Sequence, residues 1–368
     1  MYFAEHLPRV NTISIVVELP SGFIPSKIHP FSPQSLHLIP TTTDHQPIEI
    51  KLPISIPQNN ELKISGLKLQ NQTLSFSILL QSTTAITHTN NDQSVSEFMN
   101  LQQSQKWSCK DLQSKTPNPT NNSHQFEFIC SNCDAMIIDS AKYLFMDMPS
   151  EYWYELMDFW HCHKPDHGHT GDVVKDYEGV LKPNDDRSVI IGNCYFLQLC
   201  NEKLEVEGDE VRCERCKHRV GEKYEGVFKL YKWRLKLKYT KDIEVAIEKF
   251  DSKLFIYNSI IDKINSLATR RFKFKMNNDK WKYLWVMNLG LDISLDENVH
   301  NDALKVLIAD DIDSQSQDSY EVMDIPYPDI AQELINHLLE TNSKLPKSIN
   351  SLSIGSNTFL VSYYVSNC

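Results

Sequence analysis

The chain has 368 residues, a net charge of −11 at pH 7 and a hydrophobic content of 41%. This length exceeds what one hydrophobic core usually serves, so we expect two or three packed units. The negative charge argues against a general nucleic-acid-binding protein, and we do not expect direct RNA binding by the protein as a whole.

Residues 1–87 carry short runs rich in β-branched residues, separated by Pro, Gly and Asn. Such runs predict antiparallel strands, here an N-terminal β sandwich or barrel. Residues 88–125 are dominated by Asn, Gln, Ser, Thr and Lys. They bury too little apolar surface to offset the entropy of ordering, so we predict a polar low-complexity linker in which only Trp107 docks locally.

Residues 126–240 form the cysteine-rich part of the chain. No run approaches the ~20 apolar residues of a transmembrane helix, and the first residues lack the pattern of a signal peptide. We therefore expect no membrane span and a cytoplasmic location, a nuclear location or both. The reducing conditions there favour metal ligation or catalysis over disulfides for the nine cysteines.

Two Cys-x-x-Cys knuckles carry the strongest motif, Cys130/Cys133 and Cys213/Cys216. Each pair presents two thiolates to one ion, and two such turns complete a tetrahedron around Zn²⁺. The sequence thus predicts a structural zinc that staples a small β domain and, with four thiolates, has no open position. The alternative is two unrelated knuckles or buried free thiols.

A second group begins at Cys162 and His163, which follow an aromatic helix predicted over residues 151–160, and includes Cys194 further along. Three interpretations stay open. Cys162 and His163 are ligands of a second metal, or they pack beneath the helix, or Cys162 or Cys194 is a nucleophile activated by a nearby histidine.

Residues 241–368 predict an α+β region. Apolar residues recur at helical spacing over 252–268, and Pro328 suits the first turn of a later helix. Strand-like runs lie between them at 271–276, 283–289 and 303–308. The whole chain is therefore predicted as α+β and mostly antiparallel β.

Two strand-like runs alternate basic and apolar residues, 228–239 and 271–276. Period-two geometry places their basic side chains on one face of each strand. The basic residues are Lys232, Arg234, Lys236, Lys238, Arg271, Lys273 and Lys275. They form either an ordinary solvated face or a docking surface for an acidic protein or an RNA backbone.

The order of these features resembles the HECT-like ubiquitin-conjugating-enzyme (E2)-binding family. The resemblance rests on the paired knuckles, on Trp160-His161-Cys162-His163-Lys164-Pro165, on Gly192-Asn193-Cys194-Tyr195-Phe196-Leu197 and on Leu284-Trp285-Val286-Met287-Asn288. The knuckle region is also similar to the zinc-stapled β-tent of Yippee-type and cereblon-type domains, a likeness of fold that does not transfer function.

The resemblance implies an E2 partner, transfer of ubiquitin through a cysteine, and association with the endonuclease subunit of the pre-mRNA 3′-end cleavage and polyadenylation machinery. The catalytic Thr-Cys dipeptide of true HECT ligases does not occur in this sequence. Outside the knuckles the candidate nucleophiles are Cys162 and Cys194, then Cys200 and Cys109. The alternative function is a non-catalytic protein that chaperones or inhibits the 3′-end endonuclease.

Overall fold

The computed structural model describes residues 1–56, 62–80, 106–115, 126–148, 181–241, 244–276, 279–325 and 327–365. The chain divides into two compact units. The first combines Met1–Phe98 with Lys263–Cys368, and the second is Met99–Asp262.

Antiparallel strands dominate both units, which confirms the predicted fold class. The strands are β1 (Tyr2–Leu7), β2 (Thr12–Glu18), β3 (Pro25–Ser32), β4 (Ser35–Pro40), β5 (Ile48–Lys51), β6 (Lys63–Gln70), β7 (Thr73–Leu79), β8 (Phe126–Cys130), β9 (Met136–Asp139), β10 (Leu144–Asp147), β11 (Ser188–Ile191), β12 (Tyr195–Gln198), β13 (Leu204–Glu207), β14 (Glu210–Cys213), β15 (Arg219–Tyr224), β16 (Val227–Tyr231), β17 (Leu235–Lys241), β18 (Glu244–Lys249), β19 (Arg271–Lys275), β20 (Trp281–Leu295), β21 (Asn298–Ala309), β22 (Glu321–Val322), β23 (Ser351–Ile354) and β24 (Asn357–Tyr364). The α-helices are α1 (Cys109–Lys115), α2 (Ser252–Leu267), α3 (Ser314–Gln317) and α4 (Pro328–Ser343), and short 3-10 helices cover Pro8–Val10 and Lys232–Arg234.

The first unit is built on a sheet of ten described strands, ordered β23-β24-β21-β20-β1-β2-β7-β6, with β19 pairing β20 and β22. The alternation of β2 buries Ile13, Ile15 and Val17 on one face. A smaller sheet, β3-β4-β5, contributes Leu36 and Leu38 to the same core. Side chains of both sheets therefore share one core, as expected for a β sandwich or barrel.

The C-terminal segment completes this unit and is not a separate region. Strand β1 pairs with β20, with Phe3 opposite Leu295. Glu5 is buried and accepts hydrogen bonds from Lys305 Nζ, at 2.9 Å, and from the Tyr363 hydroxyl. Burial and the adjacent Glu5 carboxylate raise the pKa of Tyr363 well above its usual value, so its hydroxyl remains a donor. This contact ties residues near the two ends of the chain.

The second unit contains two sheets, β10-β11-β12-β16-β15-β14-β13 and β18-β17-β8-β9. Their apolar side chains form one core that includes Phe128, Phe196 and Leu237. In the described residues of the chain only β10 with β11 and β19 with β22 pair in parallel.

Trp107 lies in this second core, although its surroundings in the sequence predict a linker. Its side chain is 0% exposed, and its ring centroid lies 5.2 Å from that of Phe128 and 5.5 Å from that of Phe250. The indole N–H donates to Glu248 Oε2 at 3.3 Å. Helix α1, directly after Trp107, is held by an ion pair of 2.9 Å between Lys115 and Glu248. The described part of the linker is therefore a structural element of the second unit.

We expect Trp107→Ala to destabilise the second unit by about 3–5 kcal/mol, because the truncation leaves a large cavity in an aromatic core. Tyr224, which is 52% exposed, supplies the matched control, and Tyr224→Ala should change stability by less than about 0.5 kcal/mol. Denaturant unfolding followed by circular dichroism measures both. Equal stability of the two variants would contradict the structural role of Trp107.

Candidate functional site: a four-cysteine cluster

The first knuckle lies at the tip of the β8–β9 hairpin. Cys130 is the last residue of β8, and its N–H donates to the carbonyl of Ala135 at 2.8 Å. The Asp134 N–H donates back to the Cys130 carbonyl at 3.1 Å, and Asp134 has a positive φ of 57°. A left-handed residue closes the turn tightly, so the chain reverses within the motif and Cys133 faces the same way as Cys130.

The second knuckle repeats this geometry at the tip of the β14–β15 hairpin. Cys213 ends β14, and its N–H donates to the His218 carbonyl at 2.9 Å. The Lys217 N–H donates to the Cys213 carbonyl at 2.8 Å, and Lys217 has a φ of 60°. Asp134 and Lys217 thus occupy equivalent positions directly after the second cysteine of each motif. Sequence reasoning missed both, because aspartate and lysine carry no strong signal for this conformation.

The two hairpins bring all four cysteine sulfurs together. Cys130 Sγ lies 3.7 Å from Cys216 Sγ, and Cys133 Sγ lies 3.7 Å from Cys213 Sγ. All four sulfurs lie within 4.8 Å of one another. A tetrahedral site with metal–sulfur bonds of ~2.3 Å has sulfur–sulfur edges of about 3.8 Å. The cluster therefore has the dimensions needed to hold one metal ion.

The surroundings of the cluster raise the pKa of two of its thiols and lower the pKa of a third. Burial raises the pKa of Cys130 to about 12 and also raises that of Cys213. Burial acts in the same direction on Cys216, but hydrogen bonds from Asn132 and from the His218 backbone outweigh it and lower that pKa to about 6. Buried thiolates need a compensating cation, and a divalent metal supplies that charge.

The cluster joins two sheets. Strand β8 belongs to the sheet β18-β17-β8-β9, whereas β14 belongs to the seven-stranded sheet that contains β12 and β16. A metal held there would cross-link their hairpins, and four protein ligands would fill a tetrahedral shell. Such a site supports structure and leaves no position for a reacting water.

Cys194, a described residue of the second predicted group, is not part of this cluster. In the described part of the chain the cysteine cluster is the only group of metal-ligand type that is close enough to hold an ion. Cys194 is 5% exposed, and Asn258 Nδ2 donates to its sulfur at 3.5 Å. Cys162 and His163 lie outside the described residues, as does the helix predicted over 151–160. The three interpretations of this group stay predictions.

Two described cysteines outside the knuckles, Cys109 and Cys200, have raised thiol pKa values. Burial, followed by the charge of Asp147, raises the pKa of Cys109 to about 11. Burial and a hydrogen bond with Asp186 raise the pKa of Cys200. Because the thiolate is the nucleophile, neither residue is activated by its surroundings.

Comparison with known proteins decides the family. The model of the family described as HECT-like ubiquitin-conjugating enzyme (E2)-binding matches residues 5–356. The chain belongs to this family. It is also 26% identical over 363 residues to the uncharacterized protein YJR141W of Saccharomyces cerevisiae, covering 95% of this chain and 96% of that protein. No solved structure matches the chain.

Membership in the E2-binding family supports a ubiquitin-conjugating enzyme as a partner. The predicted basic faces are candidates for a docking surface. Lys232, however, is 0% exposed and lies in the 3-10 helix between β16 and β17. Its ammonium donates to the Lys106 carbonyl at 2.9 Å and lies 5.4 Å from the ring centroid of Phe196. The sequence predicted one alternating strand over residues 228–239. That prediction is wrong, because the 3-10 helix interrupts the strand and Lys232 is buried.

Two of the remaining basic residues of this run, Lys236 and Lys238, pair within the chain. Lys236 Nζ lies 2.8 Å from Asp134, and Lys238 Nζ lies 3.0 Å from Glu127. Arg234 ends the 3-10 helix, one residue before β17. Partnered charges attract an anionic partner less than free ones do.

The second basic run lies on β19, in the sheet of the first unit, whereas Lys236 and Lys238 lie in a sheet of the second. The two runs are therefore not neighbouring strands. The Arg271 guanidinium stacks 4.2 Å from the Trp285 ring centroid. Lys273 donates to the Gln317 carbonyl at 3.3 Å, and Lys275 pairs with Asp279 at 2.8 Å. These contacts favour the reading of an ordinary internally paired face.

Among the described helices, none is long and apolar enough to cross a membrane.

We expect Cys133→Ser to abolish stoichiometric metal binding and to lower the thermal stability of the second unit, because one of the four sulfurs is lost. Cys200→Ser removes an exposed cysteine outside the cluster and should leave both properties unchanged. Visible absorption of the cobalt-loaded protein reports tetrahedral thiolate ligation. An unaltered cobalt spectrum in Cys133→Ser would show that the cluster is not the metal site.

Proposed function

We propose that this chain is an E2-binding protein of ubiquitin-ligase type, whose second unit is held together by one structural zinc ion. The observation that carries the proposal is the closed cluster of four sulfurs that joins two sheets in a chain of the E2-binding family. A β unit whose two sheets are cross-linked by a metal ion is suited to a protein that binds and orients partners.

Zinc is the metal that fits this donor set best. Four thiolates at tetrahedral spacing are typical of structural zinc sites, whereas calcium and magnesium prefer oxygen ligands. Because the unfolded chain lacks a preformed site, the free energy of zinc binding would contribute directly to folding of the second unit. The metal would hold the fold, and any transfer of ubiquitin would take place on other groups.

We further propose that ubiquitin passes directly from the conjugating enzyme to its acceptor, without a thioester on this chain. Cys194 is buried, and the raised pKa values of Cys109 and Cys200 disfavour their thiolates. Cys162 is the remaining candidate from the predicted set. A scaffold of this kind needs only to orient the charged conjugating enzyme and the acceptor lysine.

The non-catalytic alternative keeps the binding of the conjugating enzyme but not the ligase activity. The association with the endonuclease of the 3′-end cleavage and polyadenylation machinery and the cytoplasmic or nuclear location also stay predictions. No contact in the described part of the chain favours them over the scaffold proposal.

A discharge assay separates these possibilities. A conjugating enzyme charged with ubiquitin is mixed with the wild-type chain, with Cys162→Ala and with Cys194→Ser. We expect all three to accelerate discharge to free lysine equally, and we expect no thiol-sensitive ubiquitin adduct on the chain. Cys200→Ser serves as the matched cysteine control.

A thiol-sensitive adduct that disappears in Cys162→Ala or Cys194→Ser would contradict the scaffold and establish a thioester relay. Binding of the conjugating enzyme without accelerated discharge would instead support the non-catalytic alternative.

A further inference from the structure

A groove of about 900 Å³ lies in the first unit, apart from the cysteine cluster. The start of β20, the two residues that follow β21 and one side of helix α4 contribute to its lining. Helix α4 contributes Gln332, Ile335 and Leu339, which follow one another at helical spacing. Strand β20 and helix α4 supply walls of regular secondary structure, which favours a preformed site, and loop residues such as Asp279 and Asp311 complete the lining.

Apolar side chains form part of the lining of the groove. Tyr283 and Ile335 are each 4% exposed, and Trp281 is half-buried beside them. Leu339 is 45% exposed although it belongs to the lining. A large, half-exposed leucine next to an indole offers a surface that a partner's apolar side chain can cover.

The charged residues around the groove indicate the sign of the charge that a partner would carry. The lining contains three aspartates, Asp279, Asp310 and Asp311, against Lys280 and Lys282. Lys282 is ion-paired with Asp310. Asp279 pairs with Lys275 at 2.8 Å. Asp311 is exposed, and its charge raises the pKa of Tyr283, after the larger effect of burial.

The acidic character extends beyond the lining. Residues 306–343, which include the end of β21 and all of helix α4, contain nine Asp or Glu residues and no Lys or Arg. Asp329 and Glu333 are exposed on the helix that supplies one wall. A segment with this charge attracts a basic partner and repels the phosphates of a nucleic acid.

We infer that this groove docks a basic segment of a partner protein, anchored by one large apolar side chain beside Trp281 and Leu339. The inference rests on the proposed function in one respect, since that function makes the partner a ubiquitin-conjugating enzyme. The apolar anchor contributes affinity. The acidic surroundings accelerate association and orient the basic segment.

The test measures binding of a panel of purified ubiquitin-conjugating enzymes to the full chain by isothermal titration calorimetry. For the enzyme that binds, we expect Leu339→Glu to weaken affinity at least about tenfold, because a carboxylate replaces the apolar contact. Leu352→Glu is the matched control, since Leu352 is 42% exposed in the same unit but lies outside the groove lining. It should change affinity less than about twofold.

A charge reversal provides a second variant that does not depend on the leucine. Asp311→Lys should weaken binding by about three- to tenfold at low salt and should flatten the dependence of affinity on salt. Glu202→Lys makes the same change in charge at a glutamate whose side chain is 73% exposed in the second unit, and it should have little effect. Thermal unfolding confirms that each variant is folded.

Unchanged affinity in both Leu339→Glu and Asp311→Lys would overturn the docking site while leaving an E2-binding protein intact. Failure of every conjugating enzyme to bind the wild-type chain would overturn the proposed function itself. Tighter binding of single-stranded RNA than of any conjugating enzyme at this groove would overturn the assignment of a basic partner.

Discussion

The meeting of four sulfurs at one point is the constraint on which the second unit depends. Cys130 and Cys216 lie 3.7 Å apart although their hairpins belong to different sheets. To reach that position, each hairpin needs a left-handed residue after its knuckle, here Asp134 and Lys217. The buried thiols oppose ionisation, so a bound cation would convert an unfavourable cluster into a cross-link. The two sheets then share one core around Phe128 and Phe196.

The cysteine cluster has a structural role, and the binding of partners is assigned to other parts of the chain. A metal held by four thiolates would have no open position, so it would not itself take part in a reaction. The basic side chains singled out by alternation are mostly engaged within the chain, as the pairs Lys236–Asp134 and Lys238–Glu127 show. The groove beside Leu339 combines apolar and charged side chains, and it belongs to the other unit. In our account one unit is stapled by metal while the other supplies a docking surface.

Local patterns predicted local structure well. The strand-like runs predicted over residues 1–87 include β2, Pro328 begins helix α4, and the helix predicted over 252–268 matches α2. Pairing between distant segments was not predictable, because periodicity does not say which strands are neighbours. Thus β1 pairs with β20, and the expected separate N-terminal and C-terminal regions share one sheet. The full burial of Trp107 and of Lys232 was not predictable for the same reason, since it depends on tertiary contacts with Glu248 and Lys106.

The most direct test of the account is X-ray absorption at the zinc edge of the purified, full-length chain. We expect a single shell of four sulfur ligands at about 2.3 Å, as in closed structural sites. A shell containing nitrogen or oxygen ligands, or a protein that folds without zinc, would contradict the claim that these four cysteines hold the second unit together.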